Sequence, residues 1–239
     1  MKKLSLRQLV LAGILGALIA ALGFTPLGMI PVPTPAGSAT ILHVPVILGA
    51  LLEGPLFGAS VGFLFGAVSF WRAIVAPANP IAQIMFTDPF TAFVPRILIG
   101  LVAYYAFVVA RDRLGRSAIA GVTGFLVWDL CYRVGVHYGW IAGPIPGYFV
   151  FLPLGILAYW LIARVLSGES APVVAAAVAG SLTNTVGVLG LVVLRGIIPL
   201  PAAAAVAVVH GFPEALAAAV LTLMLYGALR SQRLGGRGA

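Results

Sequence analysis

Residues 8–24, QLVLAGILGALIAALGF, run for 17 positions without a charge behind Lys2, Lys3 and Arg7. That is close to the ~20 apolar residues an α-helix needs to cross a bilayer. The basic flank resembles a secretory signal, but no convincing cleavage site follows and further apolar runs do, so the stretch is expected to stay as a transmembrane helix. The remainder of the chain agrees. Of its 239 residues 62% are hydrophobic and 8% charged, and the mean hydropathy is +1.12. A soluble fold of that composition could not cover itself with polar surface. The expected class is an all-α integral membrane protein of the cell membrane, of the bacterial cytoplasmic-membrane type.

Further apolar runs lie at about 39–53, 55–75, 90–111, 117–137, 145–166, 172–195 and 203–229, which makes eight expected spans. Lys and Arg collect on cytoplasmic ends. With an inside N-terminus and eight crossings, Lys2, Lys3, Arg7, Arg111, Arg113, Arg116, Arg164, Arg230, Arg233 and Arg237 fall inside, ten of the 14 basic residues. The expected topology is therefore N-in and C-in. The formal charge of +8 follows from orientation and calls for no nucleic acid. No stretch has the composition of a flexible linker, so residues 1–239 are expected to form one transmembrane domain. Cys131 is the single cysteine and the three histidines are scattered. An intrachain disulfide is excluded, and neither a metal site nor a cofactor is expected.

The run 25–45, TPLGMIPVPTPAGSATILHVP, breaks the helical pattern with prolines 26, 31, 33, 35 and 45. It is apolar enough, through Leu27, Met29, Ile30 and Val32, to fold back on the protein. A proline-stiffened segment loses little entropy on closing, which suits a lid over a bound solute. An ordinary connector is the alternative.

Four basic residues break the inside bias: Arg72, Arg96, Arg133 and Arg195. Arg72 and Arg195 end helices and could snorkel to the outer headgroups. Arg96 follows Pro95 and opens the apolar run ILIGLVAYYAFVVA, where a lone charge costs roughly 2.5–3.5 kcal/mol, so it is expected to face a polar cavity. His210 and Glu214 stand four apart on one helical face, as a ligand pair or as a private ion pair. Asn184, within SLTNT, cannot satisfy itself along its helix as readily as Ser181, Thr183 and Thr185 can. Asp129 and Arg133, also four apart, have the spacing of a structural pair. The expected substrate-binding set is Arg96, Asn184, His210, Glu214, Arg72 and His43, the last within the proline-rich run.

Enzymatic motifs are missing from this sequence. There is no G-x-S-x-G turn, no H-E-x-x-H, no paired acidic motif for a magnesium diphosphate and no G-x-x-x-x-G-K-[ST] loop. Binding or transport is expected, with no catalytic residue.

Several stretches carry a family resemblance: ATILHVPVILGALLEGPLFGASVGFLFGAVSFWRA, NPIAQIMFTDPFTAFVPRILIGLVAYY, AVAGSLTNTVGVLG and HGFPEALAAAV. Together they resemble the substrate-capture S component of energy-coupling-factor (ECF) vitamin transporters over about 8–111 and 172–230, with LEGP, PRILIG and SLTNT the most specific parts. The resemblance implies capture of a vitamin or related micronutrient from outside. It also implies docking with a transmembrane coupling subunit and two cytoplasmic ATPases of an ABC importer, and toppling in the membrane to release ligand inward. The family's Ala-x-x-x-Ala docking motif matches Ala17 and Ala21. Small residues repeat every four positions in two stripes, Ala12, Gly16, Ala20 and Gly13, Ala17, Ala21, and either could face a partner or pack internally.

The family has six helices, so residues 112–171 are expected to be an inserted helical pair, whose Trp128, Trp140 and Tyr148 suit interfacial anchoring as readily as ligand contact. Pantothenate is the first expected ligand. A pyrimidine or pyridoxine-type precursor, riboflavin and a cobalamin-related compound stay open. The alternative is a stand-alone secondary transporter coupled through Glu214 and Asp88, and less so an intramembrane enzyme.

Overall fold

The computed structural model describes residues 5–34, 37–137, 149–168 and 170–235; Lys2, Lys3, Arg237, Trp140 and Tyr148 lie outside them. Nine α-helices and one two-stranded hairpin occur among the described residues, and six of the helices are long and apolar enough to cross a bilayer. The protein is an all-α, multi-pass membrane protein.

Local chemistry sets the helix starts. Helix α1, Leu6–Phe24, opens on a capping box in which Ser5 accepts from the Gln8 amide and Gln8 reaches back to the Ser5 amide. A short 3₁₀ turn, Pro26–Gly28, leads into the antiparallel hairpin of β1, Met29–Thr34, and β2, Gly37–Thr40. Helix α2, His43–Glu53, ends at Gly54, whose φ of 100° suits glycine alone, and Pro55 starts α3, Pro55–Val75. Asn79 caps α4, Pro80–Thr87, and Asp88 caps α5, Pro89–Val109, by accepting from the Thr91 amide and hydroxyl. The other helices are α6, Arg113–His137, α7, Leu152–Val165, α8, Ala171–Leu194, and α9, Leu200–Gly235.

Eight full spans were expected, and in two of them, 39–53 and 145–166, the helix among the described residues is short. Helix α2 has 11 residues and α7 has 14, about 16 and 21 Å at 1.5 Å per residue, against a hydrocarbon core of about 30 Å. The apolar run 39–53 spends its first positions on strand β2. Its remainder, α2, is a central helix rather than a lipid-facing one: every residue from His43 to Leu51 is buried, as a helix apolar on all sides requires. Arg7 pairs with Glu53, so α2 ends level with the start of α1. Helix α4 was not expected as a separate element.

The chain divides into two compact bodies, Met1–Phe107 with Val173–Ala239, and Val108–Pro172. In the first, Leu15 and Ile19 of α1, Val46 and Ile47 of α2, Val61 and Phe65 of α3, Ile99 of α5 and Ala176 of α8 form one core. Helices α3 and α5 meet backbone to backbone: a Cβ on Gly62 would lie 2.1 Å from the Arg96 carbonyl oxygen, and one on Gly100 would lie 2.3 Å from the Gly58 carbonyl carbon. Glycine is needed there for closeness, as at small-residue crossings generally. The outward stripe of α1 is Gly13, Ala17 and Ala21, all exposed, whereas Ala12, Gly16 and Ala20 are half-buried.

In the second body α6 crosses α7 where Gly124 and Gly155 face each other's carbonyl oxygens. Asp129 and Arg133 form the expected ion pair along α6, at 2.6 Å.

Candidate functional site

A cavity of about 320 Å³ opens within the first body, walled by α3, α4, α5, α8, α9 and the base of the hairpin. Two helices with an internal proline supply its buried charges. A proline inside a helix has no N–H to give the carbonyl four residues back. In α5 Pro95 thus leaves the Thr91 carbonyl free, and the next side chain, Arg96, donates to it through Nη1. In α9 Glu214 likewise follows Pro213.

Arg96 is 4% exposed. Its guanidinium carbon lies 5.3 Å from the Phe65 ring centroid and 4.8 Å from that of Phe86, in reach of both aromatic faces. Its Nε has no hydrogen-bond partner. Neither an ion pair nor a second hydrogen bond to this guanidinium is present among the described residues; Glu214 contributes a carboxylate to the same cavity. A buried guanidinium with spare donors fits an incoming anion, above all a carboxylate that matches its fork.

Asn184 also lines the cavity, buried, with its Oδ1 unpartnered. His210 lines it one helical turn before Glu214. The Glu214 carboxylate is engaged by protein donors: Oε1 accepts from the Thr40 amide at 2.8 Å and Oε2 from the Thr185 hydroxyl at 2.8 Å. Arg72 reaches the mouth, its Nη2 3.4 Å from the Met29 sulfur. The structure therefore gathers Arg96, Asn184, His210, Glu214 and Arg72 around one cavity.

His43 does not join them. It is fully buried at the start of α2 and off the cavity wall, its ring facing the main-chain carbonyl of Glu214 without a hydrogen bond of ordinary geometry. Asp88 is also committed elsewhere, to Thr91 and, at 3.3 Å, to Arg195, whose guanidinium stacks on Phe90. Partial burial pushes the Asp88 carboxyl up, but the Thr91 hydrogen bonds and the Arg195 charge outweigh it and hold the group below the usual carboxylate range.

Sequence reasoning missed the aromatic pair Phe65 and Phe86, and the donors Thr40 and Thr185. Thr185 looked self-satisfying because a helical threonine can bond its own preceding turn. Its hydroxyl has one hydrogen, and the 2.8 Å contact to Glu214 is shorter than the 3.3 Å one to the Ser181 carbonyl.

A bundle of apolar helices enclosing one polar cavity, with an unpaired buried cation and unsatisfied hydrogen-bonding atoms on its wall, is a membrane-embedded solute-binding protein. Residues 7–226 match the ECF transporter substrate-specific component family, and the chain belongs to it. Two similar relatives carry more specific names. The chain is 40% identical over 94 residues to the pantothenate transporter PanT of Leuconostoc mesenteroides subsp. mesenteroides, which takes in 39% of this chain and 44% of the relative. It is 31% identical over 125 residues to the pantothenic acid transporter PanT of Lactococcus lactis subsp. cremoris, covering 40% of this chain and 64% of the relative. Neither comparison reaches two thirds of the relative's own length.

Proposed function

We propose that this chain captures pantothenate from outside the cell and hands it to an ATP-driven importer, acting as a binding subunit without chemistry of its own. The observation that carries the reading is Arg96, a buried guanidinium with unspent donors facing a cavity. Pantothenate has a carboxylate at one end, hydroxyls at the other and an amide between. Its carboxylate would meet the Arg96 fork, while Asn184 and His210 serve the amide and hydroxyls. The cavity of about 320 Å³ lies at the small end of the ~300–1,000 Å³ typical of ligand sites. That size favours a compact metabolite over a cobalamin. The names of the two relatives point the same way.

The exposed stripe of Gly13, Ala17 and Ala21 supports docking of α1 on a transmembrane coupling subunit that works with two cytoplasmic ATPases. A secondary transporter would need titratable groups free to change partners, and Asp88 and Glu214 are both held by protein donors.

Growth of a bacterium lacking both pantothenate synthesis and pantothenate uptake tests the proposal. The chain co-expressed with an ECF coupling subunit and its ATPases is expected to restore growth on low external pantothenate, and the chain alone is not. Rescue by the chain alone would establish the secondary-transporter reading instead. No rescue by the complete set would refute the proposal.

A further inference from the structure

The hairpin that edges the cavity is poorly held by its own ladder. Its paired positions are Met29 with Thr40, Ile30 with Ala39 and Thr34 with Gly37, with an irregularity between Ile30 and Thr34. Pro31 and Pro33 fall in that interval and have no N–H to donate. A lone two-stranded hairpin is marginal even with a full ladder, so its position depends on what ties it to the bundle. At its base the Ile41 amide bonds the Gly28 carbonyl. Among the described residues Arg72 of α3 reaches Met29 of β1, and Glu214 makes a two-point tie to the helices: one carboxylate oxygen takes the Thr40 amide of β2, the other the Thr185 hydroxyl of α8. Both bonds are at least partly shielded from solvent, where a charge-assisted hydrogen bond is strong. Met29 and Thr40, the base pair of the hairpin, line the cavity.

We infer that Glu214 is a positioning residue for this site, the latch that fastens the base of the proline-rich hairpin at the edge of the cavity and sets how long a solute stays. Both its oxygens accept from protein donors, and through the Thr40 amide its contribution reaches the hairpin. Losing the latch speeds the release of ligand and opens the cavity even when it is empty. The inference rests on the cavity being the solute site, and the experiment reads the hairpin with and without solute.

A reporter thiol is placed inside the cavity as Ser69→Cys, with Cys131→Ser removing the native one; Ser69 lines the cavity and Cys131 does not. Its reaction with a charged, membrane-impermeant methanethiosulfonate is followed by mass spectrometry in the empty protein. Pantothenate association and dissociation rates are measured in parallel, without the reporter. Glu214→Ala and Thr185→Val are each expected to speed thiol labelling of the empty protein at least tenfold. Pantothenate dissociation is expected to rise at least tenfold, with association changed less than threefold. Glu214→Gln, which keeps one acceptor oxygen, falls between. Thr185→Val preserves side-chain shape, so it carries the test should Glu214→Ala fail to fold. Faster dissociation with unchanged labelling of the empty protein would make Glu214 a ligand contact and overturn the latch, as would unchanged rates in both assays. Faster labelling in a protein that does not bind pantothenate would keep the latch and refute the ligand.

Discussion

Replacing Arg96 by methionine should separate ligand binding from folding, because the two respond by different amounts. Methionine keeps the unbranched stem as far as the position of Nε, with a sulfur that packs favourably near aromatic rings such as Phe65 and Phe86, and removes the guanidinium. For the ligand, the loss is one charge-assisted hydrogen-bonded pair, about 1.5–3 kcal/mol, which is about 10- to 150-fold in Kd. For the empty protein two effects oppose. A buried cation with one hydrogen bond, to the Thr91 carbonyl, is removed, which relieves its desolvation. The Thr91 carbonyl that Pro95 already deprives of its helical partner is then left bare, at about 1–3 kcal/mol. At about 2–4 °C per kcal/mol for a chain of this size, the melting temperature of the empty protein should move by only a few degrees.

The assay is a titration in detergent with two ligands, pantothenate and pantothenol, in which a hydroxymethyl group replaces the carboxylate. Arg96→Met should weaken pantothenate by the stated factor and pantothenol by less than threefold. Arg96→Lys should recover only part of the pantothenate affinity, since an ammonium gives neither the fork nor the stacking between two rings. Equal losses for the two ligands would refute the carboxylate assignment. So would a collapse of the empty protein's melting temperature alongside normal binding in the molecules that remain folded.

Gly62→Ala places a methyl where the Arg96 carbonyl oxygen lies 2.1 Å away; it should destabilise by about 1–3 kcal/mol and weaken pantothenate, while Gly190→Ala, with nothing within 4 Å, should leave both thermal melting and binding unchanged. His43→Leu removes two unpartnered nitrogens from a buried position off the cavity wall, so affinity should stay within threefold and the melting temperature should hold or rise; a tenfold loss of affinity would return His43 to the site. Ala17→Leu with Ala21→Leu covers the exposed stripe of α1 and should abolish co-purification with the coupling subunit and uptake, with pantothenate affinity of the isolated chain unchanged; a parallel loss of affinity would mean that the stripe packs the chain's own core.

The long helices were legible because lipid demands uninterrupted apolar runs: 8–24, 55–75, 90–111 and 172–195 each fall within two residues of an observed helix at both ends. Two elements were not. The run 39–53 is as apolar as a span, yet hydropathy does not distinguish a helix buried on every side from one bathed in lipid. Helix α4 did announce itself, through Asn79 as cap and Pro80 as first residue, but eight residues are too few to register as a span. In the site, Arg96 stood out because a charge in an apolar run needs a cavity. Its aromatic neighbours Phe65 and Phe86 come from two other helices, and no local pattern marks them. His43 shows the limit of position in sequence: it lies within the proline-rich run, but the turn after β2 carries it off the cavity wall.

The most direct test of the central claim is equilibrium binding of labelled pantothenate to the purified chain alone, challenged by excess unlabelled riboflavin, pyridoxine and cobalamin. Saturable one-to-one binding that only pantothenate displaces, lost when Arg96 is methionine, is the predicted result. Absence of saturable binding, or displacement by another of these vitamins more effectively than by pantothenate itself, would contradict it.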